Sequence, residues 1–261
     1  MVPNKDIRIK ILKIIHNSNA SHIATSFSSV EILNSIFKSV NLDKIKEGSN
    51  DRDRIILSKG HGTAALYCVM NHHKLITDAM LDTYFKNGSL LAGHVSHHVP
   101  FVEHSTGALG HGLPVGLGIA IGLSSKKISR KVFVVVGDAE LQEGSNWESI
   151  MLAGHKKMRN LIILIDYNKL SQTGELNQFC TLEPVKEKFE SFNFNVIQLN
   201  GHNENEIILA IKKSEYSKKP TVIICDTIKG KGVSFMEKNV LWHYRSPQNE
   251  DFEKALQELK N

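Results

Sequence analysis

Asp138 and Asn168 stand thirty residues apart, and each closes a run of β-branched and other apolar residues, VFVVVGD at 132–138 and LIILIDYN at 161–168. A carboxylate and an amide carbonyl are both ligands for a hard divalent cation such as Mg²⁺, which takes oxygens from side chains, main-chain carbonyls, water and phosphate. Gly137, immediately before the carboxylate, carries no Cβ and lets backbone approach a phosphate closely. Together these residues suit a cation clamped to a diphosphate. Asp138 alone suits equally well the N-cap of the helix that follows it.

Five apolar runs, 54–58, 132–136, 161–166, 195–199 and 221–226, read as strands covered on both faces. Apolar spacing predicts helices over 62–75, 110–125, 146–157, 204–214 and 251–260, and an amphipathic one in the basic N-terminus, MVPNKDIRIKILKIIHNSN. Strand alternating with helix implies an α/β, doubly wound, mostly parallel sheet flanked by helices. With no repeat or linker, residues 1–261 read as a single domain. Ligands of such sheets sit beyond the C-terminal ends of the strands. Three strands end there in notable chemistry: Lys59-Gly60-His61-Gly62, Gly137-Asp138, and Asp166-Tyr167-Asn168.

Residues 137–174, GDAELQEGSNWESIMLAGHKKMRNLIILIDYNKLSQTG, resemble the thiamine diphosphate signature of Gly-Asp-Gly, about thirty residues, then Asn, in the form it takes in transketolase. The resemblance runs through SHIATSFSSVEIL (21–33), SKGHGTAALY (58–67), GHVSHHVPFVEHSTGALGHGL (93–113), NGHN (200–203) and TIKGKGVSFMEKNVLWH (227–243), in the family's order. It implies the thiamine diphosphate fold and its diphosphate-binding domain. Asp138 and Asn168 would ligate Mg²⁺ (or Ca²⁺ or Mn²⁺) by side chain, and Leu170 by its carbonyl. Thiamine diphosphate would contact His61, the Gly107-Ala108-Leu109 turn, Gly137, Ala139, Asn168 and His243. His22, His61, His94 and His243 would line a substrate channel as catalytic residues. Glu143 would stand at a contact between subunits, near the cofactor's pyrimidine side.

The chemistry explains the histidines: sugar hydroxyls must lose protons and oxyanions must be stabilised, and imidazole donates, accepts or carries protons near neutral pH. Of the 13 histidines, His16, His72, His73, His97, His98, His104 and His155 read as surface or helix-end residues, and His111 stands where the family has glutamine. Glycines at 107, 110, 112, 116, 118 and 122 suit close approach to a cofactor and a partner helix, or tight helix–sheet packing. They do not have the spacing of a dinucleotide-binding fingerprint. Ser21, Ala139 and Asn203 depart from the family's glycine, glycine and aspartate. Ala139 keeps its N–H but disfavours positive φ, and Asn203 bears on a local turn.

Composition sets bounds. A 41% hydrophobic, 23% charged chain with no long apolar run predicts no membrane span and no signal peptide. The net charge of +5 is scattered, with lysine pairs at 126–127, 156–157, 212–213 and 218–219 that read as helix ends or loops, so no nucleic-acid partner is expected. Three cysteines with no CxxC spacing read as buried thiols of a cytoplasmic protein.

Nothing in the sequence matches the pyrimidine-binding domain that transketolase-like enzymes also need. The resemblance therefore implies one half of an active site shared with a complementary C-terminal subunit, in a heterotetramer acting on sugar phosphates. A truncated chain is the alternative. The initial Met and the polar final helix, DFEKALQELKN, favour a natural subunit. The expected activity is transfer of a two-carbon ketol unit between a ketose and an aldose. Rival readings are a deoxyxylulose-phosphate synthase-like or specialised sugar-biosynthesis enzyme, a cofactor-binding scaffold without turnover, and a nicotinamide dinucleotide-binding domain.

Overall fold

The structure, a computed structural model, describes residues 4–261; Met1 to Pro3 of the predicted N-terminal helix lie outside the described residues. Five parallel strands form one sheet: β1 (Arg54–Leu57), β2 (Val132–Gly137), β3 (Leu161–Tyr167), β4 (Asn195–Asn200) and β5 (Thr221–Asp226). Their spatial order is β1-β2-β3-β5-β4. The main helices are α1 (Lys5–Ser18), α2 (Ile23–Ser28), α3 (Val30–Ser39), α4 (Thr63–His72), α5 (Gly112–Ser125), α6 (Gly144–His155), α7 (Glu204–Ser214) and α8 (Asn249–Lys260).

Side chains of a strand alternate between faces, and this sheet buries both. Phe133, Val135, Ile162, Leu164, Ile223 and Cys225 join a core with α1 to α4, α7 and α8. Val132, Val134, Val136, Ile163, Ile165 and Ile224 join a second core under α5, α6 and the short helix Val185–Ser191. The crossovers explain that division. β1 leads to β2 through α4, in the first core, and then α5, in the second; β2 to β3 and β3 to β4 run through α6 and Val185–Ser191, both in the second. The chain then doubles back from β4 to β5, so a right-handed crossover puts α7 on the opposite face.

Element bounds differ from the sequence reading where the backbone turns left-handed. α4 ends at His72, because Lys74 adopts φ 60°. α5 begins at Gly112, because Gly110 adopts φ 82°. α6 stops at His155, with Lys157 at φ 51°. α2 and α3 escape sequence periodicity because residues 21–39 are rich in serine. Several of those hydroxyls bond back to carbonyls one turn earlier, Ser26 to His22 O (2.9 Å) and Ser29 to Thr25 O (2.9 Å), which keeps them compatible with a buried helix. Cys68 and Cys225 are buried, but Cys180 is exposed, a correction to the expectation of three buried thiols: it follows a short helix in a surface connection. Among the described residues no helix is long and apolar enough to cross a membrane.

Candidate functional site

A cleft of about 430 Å³ opens at the C-terminal ends of β1, β2, β3 and β5. Pairing places Gly137 opposite Asp166, so the loops carrying Asp138 and Asn168 leave adjoining strands side by side, and both residues line the cleft. His22, His61, His94, Gly107, Leu109, Gly137, Ala139, Glu143, Leu170 and His243 line it as well. Nearly all the site residues expected from sequence therefore meet in one cavity. Ala108 is exposed and does not itself line the cleft, between Gly107 and Leu109, which do. His16, His72, His73, His97, His98, His104, His111 and His155 also lie outside it.

Asp138 is 2% exposed, and its carboxylate accepts from the backbone N–H groups of Ala139 (2.7 Å) and Lys169. It caps the turn after β2 and lines the cleft at once. Burial first, and the Asp166 charge second, push its carboxyl up to about 6. A carboxylate held in that condition gains from a cation. Asn168 Oδ1 accepts from Leu170 N (3.1 Å). The Leu170 carbonyl accepts from Lys229 Nζ (3.1 Å). All three donors are oxygens, the set a hard divalent ion takes. Among the described residues no three His, Cys, Asp or Glu side chains converge as a softer metal would need. Ala139 is not among the residues with positive φ, so the alanine in place of glycine sits without strain.

Two buried lysines, to which the sequence reading gave no role, place positive charge in the cleft beside Asp138. Lys59, 1% exposed, pairs with Asp166 and donates to Ser29 Oγ (3.1 Å). Lys229, 2% exposed, donates to the carbonyls of Leu170 and Ser171 (2.8 Å). Burial, then the Lys59 charge, lowers its ammonium to about 8. Two cations and a carboxylate–amide–carbonyl set on adjacent loops fit a diphosphate with its counter-ion. Each lysine stands inside a block noted from sequence, and neither is adjacent to Asp138 or Asn168 in the chain. Only the folded topology reveals their convergence.

Glu140, 1% exposed, ties the glycine turn to the sheet. Its Oε1 accepts from Ser58 Oγ (2.5 Å) and Gly110 N (3.1 Å), and its Oε2 from Gly137 N (3.1 Å). A Cβ on Gly110 would meet Glu143 Cβ at 2.6 Å. That position requires glycine both for its φ and for this contact. Gly116 packs on Val134, the helix–sheet reading, while a Cβ on Gly118 or Gly122 would meet none of the described residues within 4 Å, on the outer side of α5.

Four imidazoles form the opposite wall. Ring centroids lie 5.3 Å apart for His22–His61, 5.7 Å for His22–His94, 5.2 Å for His22–His243 and 5.4 Å for His61–His243. Tyr244, which the sequence reading missed, stands 4.9 Å from His22. Ser21 Oγ bonds His22 Nδ1 (3.0 Å), and Thr25 Oγ1 lies 3.4 Å from His61 Nε2. His243 Nδ1 is buried with no hydrogen-bond partner among the described residues. Burial, then the neighbouring His94 charge, lowers His22 to about 4. Burial, then the Lys229 charge, lowers His243 to about 3. Burial, then Lys59, carries His61 well below the ordinary range. At pH 7 these three rings are neutral, each offering one donor and one acceptor nitrogen.

Depressed imidazoles have a stability consequence. Between pH about 6.5 and about 4 the unfolded chain binds protons at these positions and the folded chain does not. Stability from this source is complete above pH 6.5 and is lost as pH falls. Proton NMR of the ligand-free chain should show the His22, His61 and His243 rings still neutral at pH 5. Protonation of all three near pH 6.5 would contradict the burial argument.

The family described as the thiamine diphosphate binding domain of transketolase matches residues 3–259. The chain is 40% identical over 260 residues to a subunit of the apulose-4-phosphate transketolase of Actinobacillus succinogenes, covering 98% of this chain and 94% of that one. It is 36% identical to the protein of the same name from Phocaeicola vulgatus, covering 97% of this chain and 90% of that one. The crystal structure of transketolase from Campylobacter jejuni superposes with a TM-score of 0.89 at 27% identity, over 97% of this chain and 41% of that chain. This chain therefore spans about two fifths of that transketolase.

Proposed function

The chain belongs to the transketolase family as its thiamine diphosphate binding domain, and we propose that it is the N-terminal subunit of a transketolase divided between two chains. In this reading it moves a two-carbon ketol unit from a ketose or its phosphate to an aldose or its phosphate. The observation that carries the reading is the single cleft in which Asp138, Asn168 and the Leu170 carbonyl face two buried lysines and four imidazoles.

Asp138, Asn168 and Leu170 would hold Mg²⁺ or a similar divalent ion. Lys59 and Lys229, with the backbone at Gly107, Gly137 and Ala139, would hold the diphosphate. Thiamine diphosphate, when bound, supplies the carbon nucleophile that carries the two-carbon unit. The chain's own part is to orient the sugar and to handle its protons. His22, His61, His94 and His243 offer ring nitrogens to sugar hydroxyls along one wall, where a neutral imidazole presents one hydrogen-bond donor and one acceptor.

A partner is supported by the surface of α5 and α6. α5 contains no charged residue in 14 positions, and a helix apolar all round is normally covered. Beside it, Met151 is 55% and Leu152 40% exposed. A complementary pyrimidine-binding subunit, two copies of each in a heterotetramer, would cover this face and reach Glu143. The relatives from A. succinogenes and P. vulgatus, each named as one subunit of its enzyme, point the same way, and apulose 4-phosphate is the first donor to assay. Three free cysteines suit a reducing, cytoplasmic setting.

The test combines ketol transfer with the chain alone and with the product of the neighbouring reading frame. Expected are thiamine diphosphate binding in the presence of Mg²⁺, negligible transfer alone, and turnover on adding the companion. Full-rate transfer by the isolated chain would contradict the divided site. Binding with no turnover alongside any companion would favour a scaffold.

A further inference from the structure

Resting on the thiamine diphosphate reading, we propose that His202 is a positioning residue that fixes Lys229 in the cleft through the backbone of residues 227–232. His202 lies in the turn between β4 and α7 and does not line the cleft. Its Nε2 receives the Ile228 backbone N–H at 2.8 Å, and its Nδ1 lies 2.8 Å from Glu31 Oε2. A main-chain N–H can only donate, so Nε2 carries no proton and the ring proton sits on Nδ1, facing the carboxylate. The tautomer is set by its two partners.

Glu31 is itself held by several partners. It is fully buried and paired with Arg8 at 2.6 and 2.8 Å. Arg8 also donates from Nη2 to Phe27 O (3.0 Å) and from Nε to Lys231 O (3.0 Å). The Arg8–Glu31–His202 chain thus grips the segment at Ile228 N and at Lys231 O, on either side of Lys229. Gly230 N bonds Ala24 O (2.9 Å), and Thr227 Oγ1 donates to Asp166. Lysine is a flexible four-carbon stem whose reach depends on where its backbone is held. Here that backbone is clamped, and Nζ meets Leu170 O and Ser171 O. One of those carbonyls belongs to the proposed cation set.

A merely structural staple would lower stability and leave ligand affinity alone, so the test is a double-mutant cycle on the full chain. Calorimetry would follow inorganic pyrophosphate binding in the presence of Mg²⁺. His202→Phe keeps the ring but loses both hydrogen bonds and should weaken binding about tenfold, as removal of an outer-shell partner does. His202→Gln, which keeps an acceptor for the Ile228 N–H, should recover most of that affinity. In a Lys229→Gln background, His202→Phe should change affinity by less than about twofold, the non-additivity expected of residues acting through one another. Equal losses in both backgrounds, or no loss in either, would overturn the inference. Nitrogen NMR of the wild-type chain checks it without any variant: His202 should carry its proton on Nδ1, and a proton on Nε2 would overturn it. A wild-type chain that binds no pyrophosphate overturns the cofactor reading, and this inference with it.

Discussion

Asp138→Ala should abolish Mg²⁺-dependent binding of thiamine diphosphate, weakening it by about 100-fold or more, a loss of roughly 3 kcal/mol. The size follows from position. Asp138 is the only carboxylate in the proposed set, and the nearest other acids are engaged, Glu140 with Ser58, Gly110 and Gly137 and Asp166 with Lys59. The two cationic side chains beside it, Lys59 and Lys229, cannot substitute for a ligand that must be negative. Calorimetry with and without the metal measures the effect. The rise in melting temperature that saturating cofactor and Mg²⁺ give the wild type should vanish in the variant. Affinity within about threefold of wild type would remove Asp138 from the metal set and leave it as a helix cap.

Glu31→Ala should destabilise the chain by about 3–5 kcal/mol, because it removes the buried carboxylate that pairs with Arg8 and meets His202. Arg8 and Glu31 are both fully buried, and the pair joins α1 to α3 with His202 as a third member. For a chain of this size the loss corresponds to roughly 10 °C or more in melting temperature. Burial alone would raise the Glu31 carboxyl; hydrogen bonds from Arg8 and then His202 outweigh it and hold the group at about 2. A carboxylate depressed on folding contributes stability that is complete above the unfolded value of 4.5 and is lost as pH falls from there toward 2. Acid unfolding of the wild type should therefore steepen below pH 4.5, and Glu31→Ala should lose that part of the pH dependence. Denaturant melts at pH 7 and pH 3 measure both effects. A destabilisation under about 1 kcal/mol at pH 7 would contradict the buried-pair account.

The parallel sheet was legible because β2, β3 and β5 are covered on both faces, which leaves uninterrupted apolar runs in the sequence. Asp138 and Asn168 were legible because each sits where such a run stops. Edge strand β4 was found despite its half-exposed pattern, since Asn195–Leu199 lies between helix-like segments. What the sequence concealed is of two kinds. α2 and α3 carry serines that look like loop residues until their hydroxyls are seen bonded to helix carbonyls. Buried charge is the other kind. Lys59 meets Asp166 across 107 residues, Arg8 meets Glu31 across 23, and His202 meets Glu31 across 171. A buried ion reads as an ordinary surface residue until its partner is known, and that partner is chosen by topology.

A crystal structure of the chain grown with Mg²⁺ and thiamine diphosphate tests the metal–diphosphate site most directly. The ion should lie about 2.0–2.1 Å from an Asp138 carboxylate oxygen, Asn168 Oδ1 and the Leu170 carbonyl, bridging them to the cofactor's phosphates. A diphosphate bound elsewhere, or an ion in the cleft that touches neither Asp138 nor Asn168, would contradict it.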